Sequence, residues 1–431
     1  ACCCRCLLLP LPAAAACCCR CLPQPMEALE LSFEGSSVPT LLGSSCGADM
    51  QRELAALRPQ PDKFFVCSEQ AIVELCGGLE LFTRSALGAP VEFLYMGKGE
   101  EAKSAETLLQ MTQQCFEHGV SKRSVIVAFG GGVALNVVGL MAALIYRGIR
   151  LVHVPTTLMA QHDVITSLKT AVNLCGRKNN LGTYYASCLN LVDVGFLRTL
   201  PEPQYMSGLG ELCKNALILG GEHRTVFETV MRQRREDGGG TTDARNDIAL
   251  VKVGIKAKAQ LLAVDAKEKT GAMIFEYGHT TAHALERSFA DEVLPHGSKM
   301  AIEAISICRS FHLANLGSIT IAVAVCWGML TCSFVAERMG IMSASERKAH
   351  DAVIELMGLE LPEPRPSIES IMAKLMRDSK RGLVMESDDE ASEVLLKEIG
   401  TPLQSKTMLH AIPAQLVREW LTSVGFTSAA G

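Results

Sequence analysis

Aromatic side chains are scarce in this chain: 2 Trp, 6 Tyr and 14 Phe among 431 residues. Together with 36 glycines, that composition argues against an all-β binding module and suits an α/β enzyme. There is no basic run and the formal net charge is −5, which removes nucleic acid as a partner. Paired cysteine motifs are also missing from the body of the chain. Of 18 cysteines, eight fall in the first 22 residues, and the remaining ten are scattered without a CxxC pair. That is the usage of a reducing compartment, not of a disulfide framework.

Long apolar runs are few. Ser124–Tyr146 and Leu316–Ala336 carry no charge and have the length of a membrane span. The first holds three consecutive glycines after a β-rich run, which predicts strand, loop and helix. The second is interrupted by Gly317, Ser318, Thr320, Gly328 and Thr331 and predicts a buried helix. The expectation is a soluble, cytoplasmic enzyme, or a plastid one if the head of the chain is a genuine leader. That head is unusual: Ala1–Leu7 recurs letter for letter as Ala16–Leu22, and Met26 offers a sensible start. Residues 1–25 are read as a leader or a non-native extension and set apart from the fold.

Strand signals at Lys63–Cys67, Phe93–Met96, Ser124–Phe129, Leu151–Pro155 and Leu189–Val194 alternate with helical stretches. Such alternation predicts a parallel sheet with helices on its faces. From about Leu197 the pattern becomes mainly helical until Val394–Leu396. The expected architecture is an α/β domain over 36–195 and a mainly helical domain over 196–431, with a site in the cleft between them.

Three local features carry chemistry. Gly130-Gly131-Gly132 closes a strand and opens a helix, where backbone N–H groups and the helix dipole receive phosphate. It is not GxGxxG, so a plain tight turn is the alternative. Glu100 and Lys103, three residues apart, read either as a helical salt bridge or as ribose and phosphate contacts for the same nucleotide. In Glu276–Glu286, His279 and His283 stand at i and i+4, so both imidazoles leave one helix face. A catalytic divalent ion needs about three protein ligands and an open position, and Glu211, His279 and His296 are the plausible trio. Cations beside Gly or Asn (Lys169, Arg177, Lys178, Lys214, Lys258, Lys380, Arg381) point to an anionic, phosphorylated substrate.

Seven segments in order, GGGVALNVVG (130–139), YRGIRLVHVPTT (146–157), SLKTAVN (167–173), KNNLG (178–182), GELCKN (210–215), EYGHTTAHALE (276–286) and PHG (295–297), resemble the sugar phosphate cyclases of the 3-dehydroquinate synthase-like superfamily. The resemblance runs from about residue 60 to residue 410. It implies NAD⁺ bound by the glycine loop, Glu100, Lys103, Thr156, Thr157, Asp163, Lys178 and Asn179, and Zn²⁺ or Co²⁺ on Glu211, His279 and His296. It places Asp163, Lys169, Asn179, Lys214, Lys258, His283 and Lys380 around the substrate. Lys169, Lys214, Lys258, Glu276 and His283 are the expected catalytic groups, and a homodimer is the expected assembly. The implied reaction removes phosphate from a sugar phosphate, with transient hydride transfer to NAD⁺ and an aldol closure to a carbocycle.

Within that superfamily three positions separate the chain from dehydroquinate formation. Asn136 stands where that enzyme has Asp, Glu276 where it has Asn, and Ala272 where it has the arginine that binds a substrate carboxylate. Charge-assisted bidentate bonds are the strong ones, so the loss of that cation disfavours a carboxylate substrate. IFEYGH (274–279), SLKTAVN and KRG (380–382) resemble the 2-deoxy-scyllo-inosose synthases more closely, and these act on glucose 6-phosphate. A dehydroquinate or epi-valiolone synthase is the alternative within the superfamily. A metal-dependent polyol dehydrogenase or an inactive relic is the alternative outside it. The chain departs from the family at Ser298, where HGE is usual, in an insertion near 298–321, and at Ser68 and Gln70 of the adenine-ribose loop.

Overall fold

The computed structural model describes residues 24–33, 36–175, 177–238, 243–293, 321–377, 384, 387 and 389–428. His296, Lys380, Arg381 and the expected insertion up to Thr320 therefore lie outside the described residues. The chain divides into two compact units, one made of 1–98, 102–200 and 239–252, the other of 99–101, 201–238 and 253–431.

The first unit is built on a seven-stranded sheet in the order β1-β2-β9-β6-β5-β3-β4. Its strands are β1 (Gln24–Phe33), β2 (Ser36–Ser44), β3 (Phe64–Glu69), β4 (Val91–Met96), β5 (Val125–Gly130), β6 (Arg150–Pro155) and β9 (Leu189–Asp193). β2, β9, β6, β5, β3 and β4 pair in parallel, while β1 runs antiparallel to β2. The sheet is parallel as expected, with one antiparallel strand, β1, added at its edge. β1 also starts at Gln24, inside the stretch set apart as a leader. The signal for it is the alternation of Leu29, Leu31 and Phe33 with exposed Glu30 and Ser32, the period of a one-sided strand. In the centre, β3, β5, β6 and β9 are near-continuous apolar runs buried on both faces, as helices on both sides of a parallel sheet require.

Two helices of this unit, in contact with each other, concern the candidate site. α1 (Ala105–Glu117) starts at Ser104, whose hydroxyl accepts from the Thr107 amide at 3.1 Å, an ordinary N-cap. α2 (Gly132–Leu144) is apolar nearly all round because both its sheet side and its outer side are covered. Its outer cover is a ribbon that the sequence did not announce, β7 (Lys169–Leu174) paired antiparallel with β8 (Arg177–Tyr184). A Cβ at Gly139 would lie 2.7 Å from Thr170 Cγ2, so glycine lets the ribbon cross α2 closely. Ser124–Tyr146 is accordingly strand, loop and buried helix. Among the described residues no helix is long and apolar enough to cross a membrane.

The second unit is mainly helical: α3 (Glu202–Leu219), α4 (Gly221–Glu236), the C-terminal part of α5 (Ala244–Leu262), α6 (His279–Val293), α7 (Ile321–Arg338), α8 (Ala344–Glu355), α9 (Ile368–Leu375) and α10 (Ala414–Ser423). Two small antiparallel pairs accompany them, β10 (Glu390–Val394) with β13 (Leu409–Pro413), and β11 (Leu396–Glu398) with β12 (Thr401–Pro402). Residues 239–252, read from sequence as part of the helical domain, count with the first unit. α7 is the buried helix predicted for the second uncharged run. It meets the start of α6 at a glycine–glycine crossing. Gly278 has φ +76, and a Cβ on Gly328 would stand 2.0 Å from the Gly278 carbonyl oxygen.

One buried histidine sits in the middle of the sheet. Burial pulls the His153 imidazole on β6 down from 6.5 to about 4, against a weaker upward pull from Asn190. The unfolded chain takes up that proton first, so stability is present above pH 6.5 and declines as pH falls towards 4. A His153→Leu variant is expected to flatten the decline by about 1.4 kcal/mol for each pH unit crossed. Urea unfolding at several pH values checks this, and parallel slopes for the two proteins would refute it.

Candidate active site

In the second unit, α3 brings Glu211, Lys214 and Asn215 to one buried stripe, as spacings of three and four residues do. The Lys214 ammonium forms a close ion pair with Glu211 Oε2. The other carboxylate oxygen, Oε1, lies 3.4 Å from His279 Nε2. Burial alone would raise the Glu211 pKa, but Lys214, joined by His279, holds it well below the usual carboxylate range. Glu211 is therefore ionised and available as a ligand.

His279 opens α6, and its Nδ1 faces the Tyr277 carbonyl oxygen at 3.2 Å. A carbonyl only accepts, so Nδ1 carries a proton, and Nε2 is the ring nitrogen turned toward Glu211. A backbone carbonyl on the outer nitrogen is the partner a metal-bound histidine requires. The His283 ring stands edge-on to His279 with centroids 5.8 Å apart. The two ring systems share a face, yet Glu211, not His283, meets Nε2. His296, the third expected ligand, lies outside the described residues, and among these no group of three His, Cys, Asp or Glu gathers closely enough to hold an ion. The two ligand groups that are described fit a divalent ion in charge and proximity.

A second cation, Lys258, joins this group. Lys214 Nζ and Lys258 Nζ lie 5.8 Å and 5.3 Å from the centroid of one ring, Phe275, and both lysines are buried. Burial of an ammonium is costly without partners, and an aromatic face offsets part of that cost. Asn215 adds a buried amide whose nitrogen and oxygen both lack a hydrogen-bond partner among the described residues. An unpaired buried amide costs about 1–3 kcal/mol, so the site has an unmet demand for polar ligand atoms. Glu276 is half-buried at the end of the turn Gly271–Glu276, and Ala272 in the same turn is fully buried.

The remaining sequence-selected residues belong to the first unit, except Glu100, which counts with the second. Gly130-Gly131-Gly132 sits as expected between β5 and α2. A Cβ on Gly130 would lie 2.9 Å from Ala134 Cβ, and one on Gly131 would lie 2.9 Å from Thr157 Cγ2. Gly131 caps α2 without any side-chain hydrogen bond, so the first amides are left for an anionic ligand. Thr156 donates its amide to the Gly130 carbonyl at 2.9 Å, and Thr157 Oγ1 accepts from the Ala160 amide at 3.2 Å. This tight backbone cradle fits a pyrophosphate. Asp163 lies in a π-helical turn, Ala160–Val164, a distortion common at functional sites. Lys103 is buried, with its carbonyl accepting from the Asn173 amide at 2.8 Å. Lys169, Lys178 and Asn179 are exposed on the β7–β8 ribbon.

Sequence reasoning singled out Asn136 without its bonding role and missed Gln161 and Glu393. Asn136 donates to the Gly132 carbonyl at 2.8 Å and accepts from the Ala171 amide at 3.2 Å. It ties the start of α2 to the ribbon, a double role an aspartate lacks because it has no donor. Gln161 ties two more backbone carbonyls, Pro155 and Asp193. Glu393 of β10 is completely buried and accepts from both the amide and the hydroxyl of Thr281, at 2.9 and 2.8 Å. Beside it, Thr280 donates to the Ser392 carbonyl at 2.8 Å. A carboxylate on the first turn satisfies a helix-end amide and suits the dipole, so β10 holds the end of α6 that bears His279. No local signal marks Glu393, because its partners are 112 residues away.

The chain matches the 3-dehydroquinate synthase N-terminal family over residues 93–207 and the 3-dehydroquinate synthase C-terminal family over residues 208–322. It belongs to the 3-dehydroquinate synthase-like family of sugar phosphate cyclases, and it is an enzyme. Within that family it is similar to 2-deoxy-scyllo-inosose synthases. It is 32% identical to that of Streptomyces kanamyceticus over 91% of this chain and 93% of the relative. With that of Streptoalloteichus tenebrarius it shares 33% over 91% and 94%. A crystal structure of 2-deoxy-scyllo-inosose synthase complexed with carbaglucose-6-phosphate, NAD⁺ and Co²⁺ superimposes with a TM-score of 0.75 at 27% identity, covering 92% of this chain and all of that one. The Streptomyces hygroscopicus 2-epi-5-epi-valiolone synthase shares the fold at TM-score 0.66 and 21% identity. The two-domain fold expected from sequence is thus the fold of this family.

The grip of Glu393 on α6 is testable by stability. Glu393→Ala leaves two buried donors of Thr281 unpaired and is expected to destabilise the protein by about 1–3 kcal/mol. Glu393→Gln keeps an acceptor and is expected to cost clearly less. Equal unfolding midpoints for wild type and the alanine variant in urea would show that the contact contributes nothing.

Proposed function

We propose that this enzyme is a carbon–oxygen lyase that converts glucose 6-phosphate to 2-deoxy-scyllo-inosose with loss of phosphate. The observation that carries the reading is the convergence of Glu211 Oε1 and His279 Nε2 at 3.4 Å, flanked by buried Lys214 and Lys258. The region 36–195 would hold the dinucleotide on Gly130–Gly132, Thr156, Thr157, Glu100, Lys103, Asp163, Lys178 and Asn179. The region 196–431 would hold Zn²⁺ or Co²⁺ on Glu211, His279 and His296, as the relative's bound NAD⁺ and Co²⁺ suggest. When bound, NAD⁺ takes up and returns a hydride while the divalent ion polarises the sugar hydroxyl being oxidised.

The chain's own residues supply the rest. Lys214 keeps Glu211 ionised and faces the oxyanion that develops on the sugar, with Lys258 beside it. Both are pre-oriented cations in a dry site, where such stabilisation is strongest. Lys169 balances the phosphate. His283 accepts the hydroxyl proton, and Glu276 serves as a second acid–base group for the C–H proton lost during elimination. Buried Ala272 offers no cation to a carboxylate, which favours a neutral sugar over a heptulosonate. A homodimer in the cytoplasm completes the proposal.

Purified protein given glucose 6-phosphate, NAD⁺ and Co²⁺ is expected to release phosphate without net NADH. Sustained absorbance at 340 nm would instead mark a polyol dehydrogenase. Chelation or Glu211→Ala is expected to lower kcat/KM on the order of a thousandfold, the several kcal/mol such an ion supplies. Turnover of sedoheptulose 7-phosphate or of the dehydroquinate precursor in preference to glucose 6-phosphate would overturn the substrate assignment.

A further inference from the structure

Behind His279 runs a chain of polar groups that starts fully buried at Tyr277 and His350 and ends at part-exposed Asp351. The Tyr277 hydroxyl lies 2.8 Å from His350 Nε2 on α8, and His350 Nδ1 lies 2.8 Å from Asp351 Oδ1. Ser333 of α7 donates to the same Asp351 oxygen at 2.7 Å, and Arg347 Nε stands 3.3 Å from the other. Tyr277 and His350 have no exposed surface. The donor directions follow from chemistry. An aspartate carboxylate accepts, so the proton of His350 sits on Nδ1; Nε2 then accepts, and the Tyr277 hydroxyl donates. Each group has one role, and the tyrosine ring has one place to be.

The backbone at Tyr277 has a second duty. Its carbonyl is the oxygen that faces His279 Nδ1 at 3.2 Å, and it precedes Gly278, whose φ of +76 only glycine adopts without strain. Backbone bonds hold the turn on either side, the Tyr277 amide to the Ile274 carbonyl at 3.1 Å and the Ala282 amide to the Gly278 carbonyl at 3.0 Å. The hydroxyl bond to His350, 73 residues further along, fixes the Tyr277 side chain itself.

We propose that Tyr277, His350 and Asp351 form a positioning relay that aims the Tyr277 carbonyl at His279 Nδ1 and so sets the direction of Nε2 toward the divalent ion. The relay touches neither substrate nor cofactor; it acts through His279 and rests on the metal reading given above. Burying the Tyr277 hydroxyl and the His350 ring in a core that apolar residues fill equally well is costly without such a return. The outer partners of metal-bound histidines are where ion affinity is tuned.

The test is Co²⁺ titration of chelator-treated full-length protein, read by the visible absorption of bound Co²⁺ and set beside the melting temperature. Tyr277→Phe keeps the ring and removes the hydroxyl. It is expected to weaken Co²⁺ binding on the order of tenfold, the low end for loss of an outer partner, and to shift the absorption bands. His350→Leu is expected to do the same, while His350→Gln, whose amide still reaches the hydroxyl, restores most of the affinity. Wild-type affinity and spectrum in Tyr277→Phe and His350→Leu, with only a lowered melting temperature, would overturn the relay and leave these residues as packing. Failure of wild-type protein to bind Co²⁺ would overturn the metal reading itself, a different result. Should Tyr277→Phe not fold, the His350 pair decides: equal affinity of the leucine and glutamine variants refutes the relay.

Discussion

Everything in the helical unit leans on one short approach, a carboxylate and an imidazole nitrogen 3.4 Å apart in a place with little water. Neither group is stable there alone. Burial disfavours the Glu211 charge, and Lys214 restores it; the ammonium in turn is buried and draws on Glu211 and the Phe275 ring. A buried ion pair contributes little net stability, but it delivers an ionised ligand at a fixed point. The surrounding packing follows from that need: α6 and α7 approach through Gly278 and Gly328, and β10 closes over the first turn of α6 through Glu393.

The α/β unit meets a different constraint, close approach of backbone to a polyanion. Glycine at 130 and 131 is required on steric grounds, since a Cβ at either would press on Ala134 or Thr157. Asn136 then holds the start of α2 against the β7–β8 ribbon from both its amide ends. The ribbon leaves its lysines and Asn179 exposed while its other face covers α2. One sequence change from the dehydroquinate pattern, Asp to Asn, is thereby explained as architecture. Ala272 and Glu276 are the positions on which the substrate proposal rests, one by the cation it lacks and the other by the acid it adds.

Local chemistry was legible wherever a signal fits within one element. The β-rich runs gave the central strands, because a strand buried on both faces must be apolar throughout. The i,i+4 histidines and the i,i+3 Glu211–Lys214 pair were readable because helical spacing alone puts them on one face. The glycine run between strand and helix was readable for the same reason. The seven ordered segments gave the family, and with it the two-domain fold.

Distance along the chain hid the rest. Glu393 meets Thr281 across 112 residues and His350 meets Tyr277 across 73, and nothing in either neighbourhood distinguishes these side chains from ordinary buried polar groups. The antiparallel strand at Gln24–Phe33 and the return of residues 239–252 to the first unit were hidden likewise, since pairing partners and unit membership depend on what packs, not on propensity. The sequence by itself determined the family and the elements that bear the candidate residues. Only the tertiary structure brought Glu211 Oε1 to 3.4 Å from His279 Nε2, because a hydrogen bond or a ligand bond is settled by tenths of an ångström between segments brought together by folding.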